Sequence, residues 1–333
     1  MPPEVSTAHA ILMREYGPPD VLVYAEVPLS PLAPDEIRIR SIASAINHTD
    51  LEIRAGNWPV RKPQPFPYVP GVEVVGAVDE VGSAVQAFRR GDRVITMMQG
   101  LGGVRAERAG GYAEYVTVSA ATVAPVASEV DDYHMAAVGL VGVTAFEGLR
   151  RIGTLSGRRI VVTGAAGGIG SAATAIAHAQ GASVIAVVSR SAQVDYVRSL
   201  GADEVVVSRE AKPAPLLEPG SVDGVLDAVG GELFAPLVAA LRPGGTLSLV
   251  GAVGGSDVSF DAFELIRPIV LTGYSSETLN GESLRNAVAA LADLMVHGRI
   301  KAPAFTTMPL ADAAQAHAVM ERGGLTGRLL LVP

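Results

Sequence analysis

One stretch narrows the possible folds more than any other: Arg159-Ile-Val-Val-Thr-Gly-Ala-Ala-Gly-Gly-Ile-Gly170-Ser-Ala-Ala. A β-branched run leads straight into a Gly-rich turn and then into small apolar residues suited to a buried helix. A glycine motif gains meaning only in such a strand–turn–helix context. Gly167 has no Cβ to hold the backbone away from a pyrophosphate, and Gly170 lets the helix pack closely on the strand. The helix start then offers unpaired N–H groups and the positive end of its dipole to phosphates. Ala165 stands where the first glycine of G-x-G-x-x-G would be, so the pattern is a variant. The turn Gly164-Ala165-Ala166-Gly167-Gly168-Ile169-Gly170 is therefore expected to hold a nicotinamide dinucleotide. A ligand-free structural turn is the competing reading, and it leaves the close backbone approach without a use.

The surrounding pattern predicts the architecture. Strand 159–163 is followed by helix 168–180, strand 183–188, helix 192–200, strands 203–207 and 222–227, helix 232–241 and strand 245–250. Gly181, Gly201 and Gly244 are placed as left-handed residues just past helix ends. Strands alternating with helices imply right-handed βαβ units and an α/β, Rossmann-type doubly wound parallel sheet. The first 125 residues read differently, as short strands broken by Pro and Gly. Further helices are expected at Leu284–His297 and Leu310–Arg322, with a last strand at Arg328–Val332. That tail is too short to fold alone and is expected to return to the first domain. The expected layout is thus a discontinuous β-rich domain, 1–130 and 275–333, around a dinucleotide-binding domain, 131–274.

The end of the second strand bears on which dinucleotide is bound. An NAD-preferring site carries an acidic residue there, about 20 residues past the turn, to hold the ribose 2′-hydroxyl. This chain has Ser189-Arg190-Ser191 instead. A carboxylate repels a 2′-phosphate, whereas a guanidinium flanked by hydroxyls binds one. NADPH (NADP+) is the expected cofactor, with Ser189 and Arg190 as its selectors; a solvated Arg at a helix start is the alternative.

Composition removes other classes. The net charge of -8, with no basic run, leaves no electrostatic footprint for nucleic acid. The absence of cysteine rules out disulfides, thiolate-bound zinc and iron–sulfur clusters. No apolar run approaches the roughly 20 residues of a membrane span, and the N-terminus shows no secretory pattern. A cytoplasmic protein without membrane partners is expected.

Five motifs occur in order along the chain: Asn47-His-Thr-Asp50, Pro70-Gly-Val-Glu73-Val-Val-Gly, Gly91-Asp-Arg-Val, Gly110-Gly-Tyr-Ala-Glu-Tyr115, and the Gly-rich turn. With Leu325-Thr-Gly-Arg-Leu-Leu-Leu-Val-Pro333 at the end, the chain resembles the medium-chain dehydrogenase/reductase superfamily, in its zinc-independent quinone oxidoreductase and enoyl reductase branch. The resemblance implies that the β-rich domain is GroES-like and catalytic, and that the protein forms a homodimer through an edge of the cofactor-domain sheet. Zinc alcohol dehydrogenases of the superfamily carry Cys at the position of Asn47 and His at that of Val72, and their third ligand falls near Val141. An amide and two valines cannot hold zinc. His48 and Glu73 are read as a hydrogen-bonded His and a carboxylate kept for packing.

The resemblance also implies roles. Asn47 lies near nicotinamide and substrate, offering an amide donor to a carbonyl or enolate oxygen; a plain turn residue is the alternative. Thr49 occupies the place of a proton-relaying hydroxyl, or is a simple helix cap. Thr144 touches the nicotinamide end, and Val250, Gly251, Ala252 and Val253 pass backbone groups beside the carboxamide. Trp58 and Tyr112 are substrate-pocket candidates, with turn packing and strand core as their respective alternatives. The 97–110 segment is expected to rim the site, and His317 to be structural. Glu52 and Trp58 stand where many relatives have tyrosines, and Ser208 where a Tyr is common. The function so implied is zinc-independent, NADPH-dependent hydride transfer to a quinone or other conjugated carbonyl. Two alternatives stay open: an enoyl reductase of a biosynthetic pathway acting on thioester-bound substrates, and a non-enzymatic NADPH-binding protein.

Overall fold

Six strands of the second half pair side by side, all parallel, in the order Glu204–Val207, Ser183–Val188, Arg159–Thr163, Val222–Asp227, Leu241–Leu249, Val270–Gly273. The computed structural model describes residues 7–58, 66–101, 108–208, 217–323 and 325–333. The strand order makes this a doubly wound Rossmann-type sheet. From Arg159–Thr163 the chain builds outward first to one side and then to the other, so the order reverses at the end of that strand. Val161, Ile185, Val187, Val225 and Leu247 are buried together with Phe234, Leu237 and Val238 of the helix Phe234–Ala240. Each such side chain contributes about 1.5–3 kcal/mol on leaving water.

The helix Gly168–Ala179 is buried continuously from Gly170 to Ala177, which only small residues in its first turns permit. Strands Arg159–Thr163, Ser183–Val188 and Val222–Asp227 match the sequence pattern residue for residue. The expected helix 192–200 begins as a 3-10 turn, Ser191–Gln193, and is α-helical only over Val194–Ser199. Gly244, with φ 81, lies inside the strand Leu241–Leu249, which starts directly at the end of the preceding helix. The sixth strand, Val270–Gly273, was not expected; four residues without a clear alternation carry too weak a signal. Its first residue, Val270, is 50% exposed, and Phe263 and Ile266 just before it, at 75%, are among the most exposed large apolar side chains of the described residues.

The β-rich part is organised around the long strand Glu36–Ala45, which pairs antiparallel with Glu73–Val81, Tyr115–Ser119 and the C-terminal Arg328–Val332. Ile37, Ile39, Val74, Val94, Val116 and Val118 fill its core. The chain divides into two compact units, one of residues 1–140, 277–292 and 304–333, the other of 141–276 and 293–303. The helix Asp132–Ile152 is longer than the apolar run Met135–Leu149 suggests, and it breaks at Gly139, whose φ of -20 and ψ of -109 are not helical. Among the described residues, no helix is long and apolar enough to cross a membrane.

Candidate functional site

In the parallel-sheet unit the Gly-rich turn lies where the strand order reverses. Gly164 turns with φ +57, and the Gly167 N–H donates to the Gly164 carbonyl at 2.8 Å. A Cβ on Gly170 would stand 2.2 Å from that same carbonyl oxygen, so only glycine closes this turn. Gly167 caps the helix in extended conformation with no side-chain hydrogen bond, and it is exposed. First-turn N–H groups have no partner within a helix, so they face outward for an external acceptor. A dinucleotide diphosphate fits this chemistry: open donors, a positive dipole end and no side chain in the way.

At the end of the neighbouring strand, Ser189 Oγ donates to Gln193 Oε1 at 3.3 Å and the Arg190 N–H donates to the same oxygen at 3.2 Å. The Arg190 side chain is exposed, and Ser208 joins this end by donating its N–H to the Val188 carbonyl at 2.8 Å. Two hydroxyls and a guanidinium therefore surround a strand end that bears no carboxylate of its own. The Val250 N–H donates to the Asp227 carbonyl at 2.7 Å, while Ala252 and Val253 are exposed. Thr144 is buried in the helix Asp132–Ile152.

The other unit holds a buried polar cluster assembled from distant parts of the chain. Asn47 precedes the helix His48–Ala55, and Asp50 closes that helix start by accepting the Asn47 N–H at 2.8 Å and the Val72 N–H at 3.0 Å. The Asn47 amide nitrogen donates to the Ala45 carbonyl at 3.2 Å and to Glu73 Oε1 at 2.8 Å. Its oxygen accepts from Arg328 Nη2 at 2.9 Å, and the same nitrogen donates to Glu73 Oε1 at 3.0 Å. Glu73 Oε2 accepts the Leu140 N–H at 2.7 Å, filling the helix break; a Cβ on Gly139 would lie 2.3 Å from that oxygen. Both Asn47 N–H bonds are thus spent inside the protein. Burial pushes the Glu73 carboxyl upward, against the opposing pull of Arg328, Asn47 and Leu140. Burial likewise pushes Asp50 up to about 7.

Tyr112, weighed from the sequence as pocket wall or core, has no exposed surface. Its hydroxyl meets His317 Nε2 at 3.2 Å and also hydrogen-bonds Asp50, with the rings edge-on at 5.7 Å. Burial, then the nearby Arg54 charge, pushes the buried His317 down to about 3. Arg54 donates to the Gly17 carbonyl at 2.7 Å and pairs with Glu321. Thr49 is half-buried at the second position of its helix, and Trp58 is half-buried with its N–H donated to the Glu52 carbonyl at 3.1 Å. His48 pairs with Glu52 at 3.2 Å on the exposed side. Val72 and Val141 are buried and apolar. Of the 97–110 segment, residues 102–107 lie outside the described residues. Among the described residues, no three His, Cys, Asp or Glu side chains converge on a metal position.

Sequence reasoning assigned no role to Asp50, Arg328 or Asp227. The first carried a signal, an acidic residue three positions after Asn47, as a capping box has it. The second carried another, a single charge inside an otherwise apolar strand.

Comparison with known proteins agrees with this construction. The sequence matches the alcohol dehydrogenase GroES-like domain over residues 33–128 and the zinc-binding dehydrogenase family over residues 168–294. An alcohol dehydrogenase of Moraxella sp. is 30% identical, covering 97% of this chain and 98% of its own. The human quinone oxidoreductase is 28% identical, covering 97% of both chains. The crystal structure of the Escherichia coli quinone oxidoreductase complexed with NADPH superposes with a TM-score of 0.86 at 27% identity, covering 98% of this chain and 100% of that one. The chain belongs to the medium-chain dehydrogenase/reductase superfamily, in its quinone oxidoreductase branch. It is by family an oxidoreductase.

Proposed function

We propose that this chain binds NADPH on the Gly164–Gly170 turn and reduces a quinone or another conjugated carbonyl by two electrons, without zinc. One observation carries the cofactor half: an uncapped, Cβ-free helix start at the reversal point of the sheet, beside a strand end with Ser189 and Arg190 in place of a carboxylate. The relatives support both halves: the human and Escherichia coli proteins are named quinone oxidoreductases, and the Escherichia coli one was solved with NADPH.

The cofactor, when bound, supplies the hydride; the protein binds, orients and stabilises charge. Gly164 to Gly170 hold the diphosphate, Ser189 and Arg190 the 2′-phosphate, and Thr144 with Val250 to Val253 border the nicotinamide end. Asn47 serves the substrate oxygen. Of its two N–H bonds, the longer one, to the Ala45 carbonyl at 3.2 Å, is the one exchanged for that oxygen, while Glu73 keeps the amide oriented. Thr49 assists the proton that follows the hydride, and Trp58 forms an aromatic wall. The working form is a homodimer in which a second copy covers the edge of Val270–Gly273 and the exposed Phe263 and Ile266 beside it.

The test is NADPH consumption against a quinone panel and an enone panel, with NADH and chelator controls. Turnover of either panel with NADPH, unaffected by chelation, is the expected result. Tight NADPH binding with turnover of neither would make this a dinucleotide-binding protein. Activity lost on chelation and regained with zinc would end the zinc-independent reading.

A further inference from the structure

One buried carboxylate of the parallel-sheet unit gathers several hydrogen bonds and is not used by the proposed function. Asp227 ends the strand Val222–Asp227 and has no exposed surface. Its Oδ1 accepts three hydrogen bonds: from Thr163 Oγ1 at 2.6 Å, the Val229 N–H at 2.9 Å and the Gly230 N–H at 3.1 Å. Thr163 Oγ1 in turn accepts the Ala228 N–H at 2.9 Å. The Asp227 backbone carbonyl accepts the Val250 N–H at 2.7 Å, and the Val229 carbonyl accepts the Gly254 N–H at 2.7 Å.

Those bonds join three turns. Thr163 is the residue before Gly164; residues 228–231 form a second turn; residues 250–254 form the third. The second and third touch backbone to backbone, since a Cβ on Gly231 would lie 2.3 Å from the Gly254 carbonyl oxygen; the first meets the Val229 side chain, whose Cγ2 would lie 3.1 Å from a Cβ on Gly164. Where Gly231 meets Gly254, neither residue has a side chain to lock the contact. The relative positions of the turns depend on the hydrogen bonds beneath, and most of those bonds meet at Asp227.

We propose that Asp227 is the positioning residue of the dinucleotide site: through Thr163 and the 228–230 amides it sets the Gly164 turn that grips the diphosphate, and it ties that turn to the 250–253 segment. This rests on the cofactor reading above. Asp227 itself touches no ligand and acts through the backbone it holds. Because Oδ1 carries all three bonds and Oδ2 is buried with no hydrogen-bond partner, it is the acceptor oxygen rather than the second oxygen that performs the task.

Two ligands separate positioning from general stability. NADPH spans the diphosphate turn, whereas adenosine 2′-phosphate lacks the diphosphate and reaches only the Ser189–Arg190 end. Asp227→Ala should raise the Kd for NADPH about tenfold or more, the effect of losing a buried multi-bond acceptor, while the Kd for adenosine 2′-phosphate moves less than about twofold. Thr163→Val, which keeps shape and strand propensity, should raise the NADPH value about fivefold with the same selectivity. Asp227→Asn retains the acceptor oxygen and should return to within about threefold of wild type. The inference is overturned if both Asp227→Ala and Thr163→Val keep wild-type NADPH affinity, if they weaken both ligands equally, or if Asp227→Asn binds no better than Asp227→Ala. Should Asp227→Ala not fold, the other two variants decide. Wild-type protein that binds no NADPH ends the cofactor reading, and this inference with it; wild-type binding with unchanged variants ends this inference alone.

Discussion

The two polar centres of this protein are built by opposite means. The Gly-rich turn is built of backbone: its open groups are N–H donors at a helix start, its close approach depends on missing Cβ atoms, and its parts lie within a few residues of one another. The Asn47 cluster is a site of side chains, in which Arg328 meets Asn47 across 281 residues and Tyr112 meets His317 across 205. A backbone site tolerates exchange of most side chains around it but not the loss of its glycines. A side-chain cluster in a dry interior has the reverse sensitivity, because each member leaves a charged or polar neighbour without a partner when removed.

The largest effect should come from the hub of the side-chain cluster. Glu73→Ala leaves Arg328 buried without its carboxylate and should cost about 3–5 kcal/mol in urea unfolding. A loss below about 1 kcal/mol would mean that water reaches the pair, and the contrast with the backbone site would fall. Next comes pH. His317 is held down to about 3 when folded, against 6.5 for the free side chain, so the unfolded chain takes up a proton first as pH falls below about 6.5. That erodes stability between about 6.5 and 3. Asp50, raised to about 7, acts the other way, because the folded state binds the proton first, and its contribution is lost as pH rises from about 4 to 7. His317→Asn removes only the former, so its stability relative to wild type should improve on going from pH 7 to pH 4, by up to about 3 kcal/mol. Parallel curves for the two proteins would place a water channel at the imidazole.

Catalysis sharpens the comparison further. Asn47→Ala should lower kcat about a hundredfold with a smaller change in NADPH affinity, as expected for a donor that matters in the transition state. Equal losses in both would assign Asn47 to structure alone. The smallest effect belongs to the rim of the backbone site. Arg190→Asp should shift the NADPH-to-NADH preference by about tenfold toward NADH in steady-state measurements, since the exposed guanidinium is screened by water. Unchanged preference would leave the selection to the Ser189 and Ser208 hydroxyls.

The same contrast explains what could be read from the sequence. The strand Arg159–Thr163, its glycine turn and the helix after it are local, so the pattern of β-branched residues, glycines and small residues determines them together. The bounds of Val222–Asp227 were legible for the same reason, but the task of Asp227 was not, because its partner Thr163 sits 64 residues away on another strand. Asn47 could be singled out by motif, yet nothing local indicates that Glu73 and Arg328 consume its hydrogen bonds. Tyr112 reads as an aromatic residue of unspecified use until His317, near the other end of the chain, is seen against it. The edge strand Val270–Gly273 escaped because it is short and its neighbours are apolar on the exposed side.

The helix break at Gly139 bears on engineering. Replacing an interior helical glycine by alanine is a standard route to a stiffer protein, gaining roughly 0.5–1 kcal/mol where the backbone is regular. Here the added methyl would have to displace a carboxylate oxygen that lies 2.3 Å away. Residues 73 and 139 are therefore a single design variable: a shorter side chain at 73 must accompany any larger one at 139, and a thermostabilisation screen that varies them one at a time will reject both.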